Sequence, residues 1–437
     1  MREEYKKYIH GDKAIIPFGV TEIENEAFYG CKGLTRIDIP NSVTRIGNYA
    51  FALCSDLTSI IIPDSVTVIR EYAFHRCTGL SYVKIPNSVT DLGKGAFSYC
   101  RSLTDVVIPS NATEIKENTF KGCSSLTNFI IPKGVTKIGD RAFYDCSGIT
   151  VLEIPDSVTD IGKYSFYGCS GLSNLKIPSS VITIRESAFE DCSGLTNIEF
   201  NNSETEIGES AFEHCSGLTN IVIPDGVTKI VSGEFARCTS LTSVIMPDSV
   251  CEIEFRAFSC CTSLTRLSLP NSITEIGEYA FSFCSGLLSV ELSDKMTSIN
   301  KSVFEGCSSL KRVAIPNGVT RIGIKAFKKC TGLTSVEFPN GLTTIGASAF
   351  EGCSGLASIE IPNSVTGIGG LAFLYCIGLS ELKVNKMDPK DLMYRLAYGA
   401  IRYDMLKSIT LYVPHGAGYA YRHNEYFAQF KEIIECL

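Results

Sequence analysis

The sequence has no surplus of positive charge. Its 40 Lys and Arg are outnumbered by 47 Asp and Glu, and the signs are interspersed. No basic tract is present to follow a phosphate backbone, which excludes nucleic acid as a partner. No run of 18 or more apolar residues occurs, which excludes a helical membrane span. The opening Met1-Arg2-Glu3-Glu4-Tyr5-Lys6-Lys7 contains no apolar stretch, so this chain shows no secretory signal. Catalytic signatures are missing as well: there is no GxSxG, HExxH, phosphate-binding glycine loop or EF-hand loop. The histidines (His10, His75, His214, His415 and His423) are too dispersed to be read as part of a triad. The expectation is a protein with no enzyme chemistry, no metal and no cofactor.

What the sequence does contain is a period. Length alone, 437 residues, suggests about three globular domains. The cysteines overturn that reading. Sixteen of the 19 fall at intervals of 23 residues, from Cys31 through Cys54 and Cys77 to Cys376, without insertion or deletion. Phe stands three residues before each, from Phe28 to Phe373, and Leu, or once Ile149, three residues after. Ile precedes each Phe by five, with Leu92 the exception. Fixed self-similarity of this length is the signature of a solenoid.

Within one unit Leu34, Ile37 and Ile39 are interleaved with polar residues until Pro40, which reads as a short strand with one buried face. Asn41-Ser42 makes a turn, and Val43-Thr44-Arg45-Ile46 alternates again as a second short strand. The stretch Tyr49-Ala50-Phe51 to Cys54 has room for a single helical or 3-10 turn. No such coil closes a core alone, so identical positions stack. The predicted fold class is an α/β repeat solenoid with a parallel sheet on one face.

The pattern Leu57-x-x-Ile60-x-Ile62-Pro63-x-x-Val66-x-x-Ile69, continued by Ala73-Phe74-x-x-Cys77-x-x-Leu80, resembles the 23-residue leucine-rich repeat of BspA-like proteins, the Treponema pallidum-type repeat. The resemblance covers about residues 17–385. Leu411-Tyr412-Val413-Pro414, with Gly416, Ala420-Tyr421, Phe427 and Phe430, also resembles the C-terminal cap of bacterial members. It implies a curved leucine-rich-repeat stack, a cell-surface or secreted setting, and binding to other proteins. Departures fall at Asn201, Ser293 and Asn385 in place of Pro, at Glu204 and Met296 in place of Val, and at Val231 and Glu254 in place of Gly.

The expected division is an N-terminal cap over 1–16, sixteen repeats over 17–385 and a C-terminal cap over 386–437. Tyr5, Tyr8 and Ile9 on one helical face would cover the first coil, as a solenoid end requires. In the C-terminal cap Asp388-Pro389 opens a helix carrying Leu392 and Leu396. Leu406-x-x-Ile409-x-Leu411 forms the last strand, with Ile409 taking the place of Leu382 after 27 residues. Phe427, Phe430 and Ile434 share a final helix.

The cysteine ladder is read as buried thiols meeting backbone carbonyls. Stacked parallel side chains suit disulfide geometry poorly, and a one-dimensional row does not converge on a metal. Unpaired thiols favour a reducing compartment, against the surface setting implied by the resemblance. Cys251, Cys260 and Cys436 lie outside the ladder. The Phe column is core, and the recurring Thr at the start of each main strand is half-buried β structure.

Two outward positions per main strand remain undictated by stacking. They begin Arg36/Asp38, Ser59/Ile61, Tyr82/Lys84, Asp105/Val107 and Asn128/Ile130. They continue Val151/Glu153, Asn174/Lys176, Asn197/Glu199 and Asn220/Val222. Three consecutive Asn beside Glu153, Lys176 and Glu199 are the candidate ligand-binding residues, although an Asn column can also bond to itself. The expected function is a non-enzymatic binding or adhesion module contacting a protein or glycan. Later coils give Ser289/Glu291, Ser335/Glu337 and Ser358/Glu360, an acidic polar stripe. The alternatives are an intracellular scaffold, or a carbohydrate-binding protein with a hydrolase site in that acidic stripe.

Overall fold

The computed structural model describes residues 2–127, 129–201, 204–390 and 399–436. Asn128, Leu392 and Leu396 lie outside these residues. The chain forms two compact units, Met1–Leu218 and Thr219–Leu437. Each is a stack of short parallel strands, as expected from a sequence whose alternating runs are too short to form a sheet within one coil.

In the first unit the main strands pair in parallel from Lys13–Ile15 through Arg36–Asp38, Ser59–Ile60 and Tyr82–Lys84 to Asp105–Val107. Pairing is in 23-residue register, Ile37 opposite Ile60 and Val83 opposite Val106. A second row of two-residue strands runs from Glu22–Ile23 to Asp91–Leu92 and again from Glu114–Ile115 to Glu206–Ile207. The second unit repeats the arrangement, with main strands such as Arg266–Ser268, Ser289–Glu291 and Arg312–Ala314 in one sheet.

The third side of each coil differs in detail from a helical turn. Alternate residues bond three back, as in a 3-10 turn: Ala50 N–H to Gly47 O and Ala52 N–H to Tyr49 O. The residues between them turn their N–H groups to the next coil: Tyr49 to Glu71 O, Phe51 to Ala73 O and Leu53 to His75 O. To do so, the positions two before and two after each Phe take left-handed backbone, as at Tyr49 (φ +54°) and Leu53 (φ +62°). For a non-glycine residue that conformation costs roughly 1–2 kcal/mol. The inter-coil hydrogen bonds offset it, and glycine relieves it at Gly95 and Gly233 before the Phe and at Gly30, Gly122, Gly168, Gly306 and Gly352 after it.

The core is built of columns. The Phe rings of adjacent coils stack at 5.1–6.0 Å, and from Phe28 to Phe373 they are fully buried. Tyr5, buried on the 3-10 helix Glu3–Tyr8, stands edge-on to Phe28 at 5.3 Å. Every described cysteine is a free thiol. From Cys54 onward the ladder thiols donate to the carbonyl of the Phe 26 residues earlier, as Cys54 to Phe28 and Cys100 to Phe74 at 3.1 and 3.2 Å. Burial pushes the Cys54, Cys100, Cys284 and Cys376 thiols up to about 12. Cys251 stands in a Thr column and bonds as its neighbours do, its thiol donating to Thr228 O at 3.2 Å.

Sheet breaks coincide with departures in the core columns. The inward main-strand position is aliphatic in fifteen coils and Phe at 129; the sheet that ends at Asp105–Val107 does not continue through this coil. In the second unit, Ser243–Ile245 and Arg266–Ser268 lie in different sheets across Met246, and Ser335–Glu337 and Ser358–Ile361 across Phe338. The second row breaks around Ala112 and Met296, each occupying a Val position. A residue of another size or shape in a column alters the packing under the neighbouring strand, because close-packed interiors transmit such strain.

The C-terminal end corrects three expectations. Leu382 pairs with Leu411, a step of 29, and Ile409 precedes the strand Thr410–Pro414. That strand is not the last. The short helix Gly418–Arg422 and the 3-10 turn Phe427–Gln429 lead to a parallel strand, Glu432–Cys436, so Ile434 is not helical. Helical spacing and β-branched Ile433-Ile434 compete there. An unpaired edge on Thr410–Pro414 decides for the strand, which satisfies it through Leu411–Ile433 and Val413–Glu435 pairing.

Candidate binding face

The main strands position the candidate residues by period-two alternation. Leu175 and Ile198 point into the core, so Asn174, Lys176, Asn197 and Glu199 point out, and all four are exposed. The strands Asn174–Ile177 and Asn197–Phe200 hold Asn174 opposite Asn197 and Lys176 opposite Glu199. Lys176 Nζ lies 3.5 Å from Glu199, both open to solvent, a contact worth little in stability. The Asn174 amide donates to Ser173 Oγ within its own coil at 3.2 Å, not across to Asn197. Glu153 is exposed one coil earlier, outside any continuous strand. Asn220 belongs to the second unit, where its amide donates to Thr219 Oγ1 at 3.3 Å and its strand pairs with Ser243–Ile245.

The Thr row is largely exposed rather than half-buried, and its hydroxyls bond to the backbone. Thr58 Oγ1 donates to Thr35 O, Thr104 to Ser81 O and Thr196 to Ser173 O, at 3.3, 3.1 and 2.9 Å. Each hydroxyl is bonded to the carbonyl one coil earlier. Among the described residues no group of three or more His, Cys, Asp or Glu converges to hold a metal, and no helix is long and apolar enough to cross a membrane.

Two features went unused in the sequence reasoning. The first is the apolar character of several outward positions: Ile61, Val107, Ile130 and Val151 in the first unit, Val222 and Ile245 in the second, all exposed. Alternation alone put most of them on the outer face, but β-branched residues favour strands whether or not they are covered, so they were not read as a site. The second is Glu234, 2% exposed where the other coils carry Ala, Thr, Ser or Val. Its Oε2 accepts from the Val231 N–H at 3.1 Å. Burial, with nearby Glu254, raises its carboxyl to about 8 despite that bond. A carboxylate in an Ala column was the available signal. Val231 and Glu254, which replace Gly in two successive coils, sit beside it. Glu254 accepts from Lys229 Nζ at 2.8 Å and from the Ser232 N–H and hydroxyl at 3.0 and 3.1 Å.

Stacked 23-residue coils with an inward Leu, a Phe spine and a parallel main-strand face define a leucine-rich-repeat solenoid. A family profile, the BspA type leucine rich repeat region in six copies, matches residues 4–127, 113–230, 205–334 and 297–411. The chain belongs to the BspA-type leucine-rich repeat family. Among solved structures, a leucine-rich repeat protein from Bacteroides ovatus is 30% identical, covering 89% of this chain and 90% of its own, with a TM-score of 0.59. A leucine rich cell surface protein from Faecalibacterium prausnitzii is 29% identical over 75% of this chain and 89% of its own, with a TM-score of 0.44. The T. pallidum leucine-rich repeat protein is 26% identical over 48% and 78%, with a TM-score of 0.26. No curated protein matches the chain.

Proposed function

We propose that this protein is a non-enzymatic binding module, of the kind used in adhesion, that contacts a protein or glycan through the outward residues of its main strands. The observation that carries the reading is the register of Asn174 with Asn197 and Lys176 with Glu199. It sets exposed amides and charges in rows on a rigid sheet, while the hydroxyls and thiols of the coils are committed to backbone carbonyls. Such a face suits many modest contacts spread over an area. The sixteen ladder thiols do not by themselves call for an intracellular scaffold, because they are buried and a protonated, inaccessible thiol resists oxidation.

The test is capture of host matrix proteins, polysaccharides and bacterial lysate components by the wild-type chain and by folded variants. Asn174→Arg/Asn197→Arg addresses the first unit and Asn220→Arg the second. Loss of a specific partner in either variant supports the reading, and equal retention by both overturns it. Turnover of a glycan that disappears in Glu199→Gln would establish a hydrolase instead.

A further inference from the structure

Among the described residues, the main sheet of the first unit is open at one place, around Phe129. Phe129 stands where other coils carry Ile, Val or Leu, and its ring is wedged edge-on between Phe120 at 5.5 Å and Phe143 at 4.5 Å. Among the described residues, the coil that contains it has no main strand, and the main-strand position of the next has only an isolated bridge from Leu152 to Leu175. Among the described residues, no main-chain hydrogen bond joins 129–131 to 151–154. Elsewhere such bonds close the face: Ile16 N–H to Asp38 O at 3.1 Å, and Ile85 N–H to Val107 O at 3.0 Å. A groove of about 840 Å³ lies at the opening, lined by Ile130, Val151, Lys133, Glu153 and Asp156 among others. Ile130 is 81% and Val151 64% exposed.

We infer that this groove is a docking site for an extended peptide segment of a partner protein, one that alternates β-branched residues with Lys or Arg. The inference rests on the main-strand face being the contact surface. Three observations select the occupant. Backbone N–H and C=O groups left without sheet partners are matched by another extended backbone. Ile130 and Val151 flank those groups and offer aliphatic surface to alternate side chains, whereas the nearby aromatic ring, Phe129, is buried and presents no platform to a sugar. The charge leans acidic: the carboxylates Glu153 and Asp156 outnumber the one cation of the lining, Lys133, and form no ion pair among the described residues, in contrast to Glu199, which faces Lys176. The comparable apolar pair Val222 and Ile245 lies on a closed ladder and lacks the open backbone.

The probe is a fluorescein-labelled (Lys-Val)5 peptide, followed by anisotropy against the full chain. Its alternately N-methylated counterpart, which keeps the side chains but blocks one edge of backbone hydrogen bonding, and a (Lys-Gly)5 peptide are the controls. Wild type is expected to bind (Lys-Val)5 and to bind each control at least about tenfold more weakly. Ile130→Asp/Val151→Asp, which alters only exposed side chains, is expected to weaken binding by a similar factor. Phe129→Val should do the same while slowing hydrogen exchange at 151–154 as the sheet closes. No binding by about 1 mM, equal binding of the N-methylated peptide, or binding unchanged in Ile130→Asp/Val151→Asp overturns the inference. A soluble β-glucan oligosaccharide that binds wild type and is lost in the same variant also overturns it, in favour of a glycan. Failure here, with partner capture still lost in Asn174→Arg/Asn197→Arg, refutes the groove and leaves the binding face standing.

Discussion

Replacing Glu234 by Ala, the residue that most coils carry at that position, should stabilise the second unit and remove a pH dependence. The Glu234 carboxyl is raised from an ordinary 4.5 to about 8, chiefly by burial. Folding therefore retains a proton that the unfolded chain releases. The sign follows: this stability is fully present below about pH 4.5 and is lost as pH rises towards 8, where the loss levels off. At about 1.36 kcal/mol per pH unit, the loss is roughly 3 kcal/mol at neutral pH and 4–5 kcal/mol above pH 8. Glu254 works in the opposite sense and in another window. Burial raises it, but Lys229 and the Ser232 donors outweigh burial and leave it below the usual carboxylate range. Its contribution is lost only as acid titrates it, below about pH 4.5. The assay is urea denaturation of wild type, Glu234→Ala and Glu234→Gln between about pH 5 and 9, with hydrogen exchange of the Val231–Arg237 amides as the local readout. The gap between wild type and each variant should widen with pH and then flatten. A gap that stays constant across the range refutes the reasoning.

Native protein titrated with a thiol reagent near neutral pH should show three reactive cysteines, Cys251, Cys260 and Cys436, and the sixteen ladder thiols only after denaturation; rapid labelling of all nineteen contradicts the ladder. Phe166, stacked between Phe143 and Phe189 at 5.2 and 5.1 Å, should cost roughly 3–5 kcal/mol on truncation to Ala, measured by urea denaturation. Lys329 is an exposed left-handed residue (φ +62°) in a column with Gly306 and Gly352. Lys329→Val should lower the melting temperature through about 1 kcal/mol of backbone strain, whereas Lys329→Gly should hold or raise it.

Sequence alone determined the coil. The 23-residue step, the inward Leu and Ile, the Phe spine and the bonded thiol ladder are properties of residue type repeated at fixed spacing. Stacking identical chemistry leaves few alternatives. The candidate face was legible for the same reason, since period-two alternation forces Asn174 and Lys176 outward once Leu175 is buried. The tertiary structure decided what depends on neighbours in adjoining coils. Whether a strand closes depends on the volume beneath it, so Phe129 opens a sheet that its own strand propensity would extend. Left-handed backbone at Tyr49 and Leu53 is selected by carbonyls about 22 residues away, and no local preference points to it. The final strand, Glu432–Cys436, formed because an edge stood open for it. Glu234 keeps its proton because the fold removes its water. Each of these is a cost or gain that exists only when one coil meets the next.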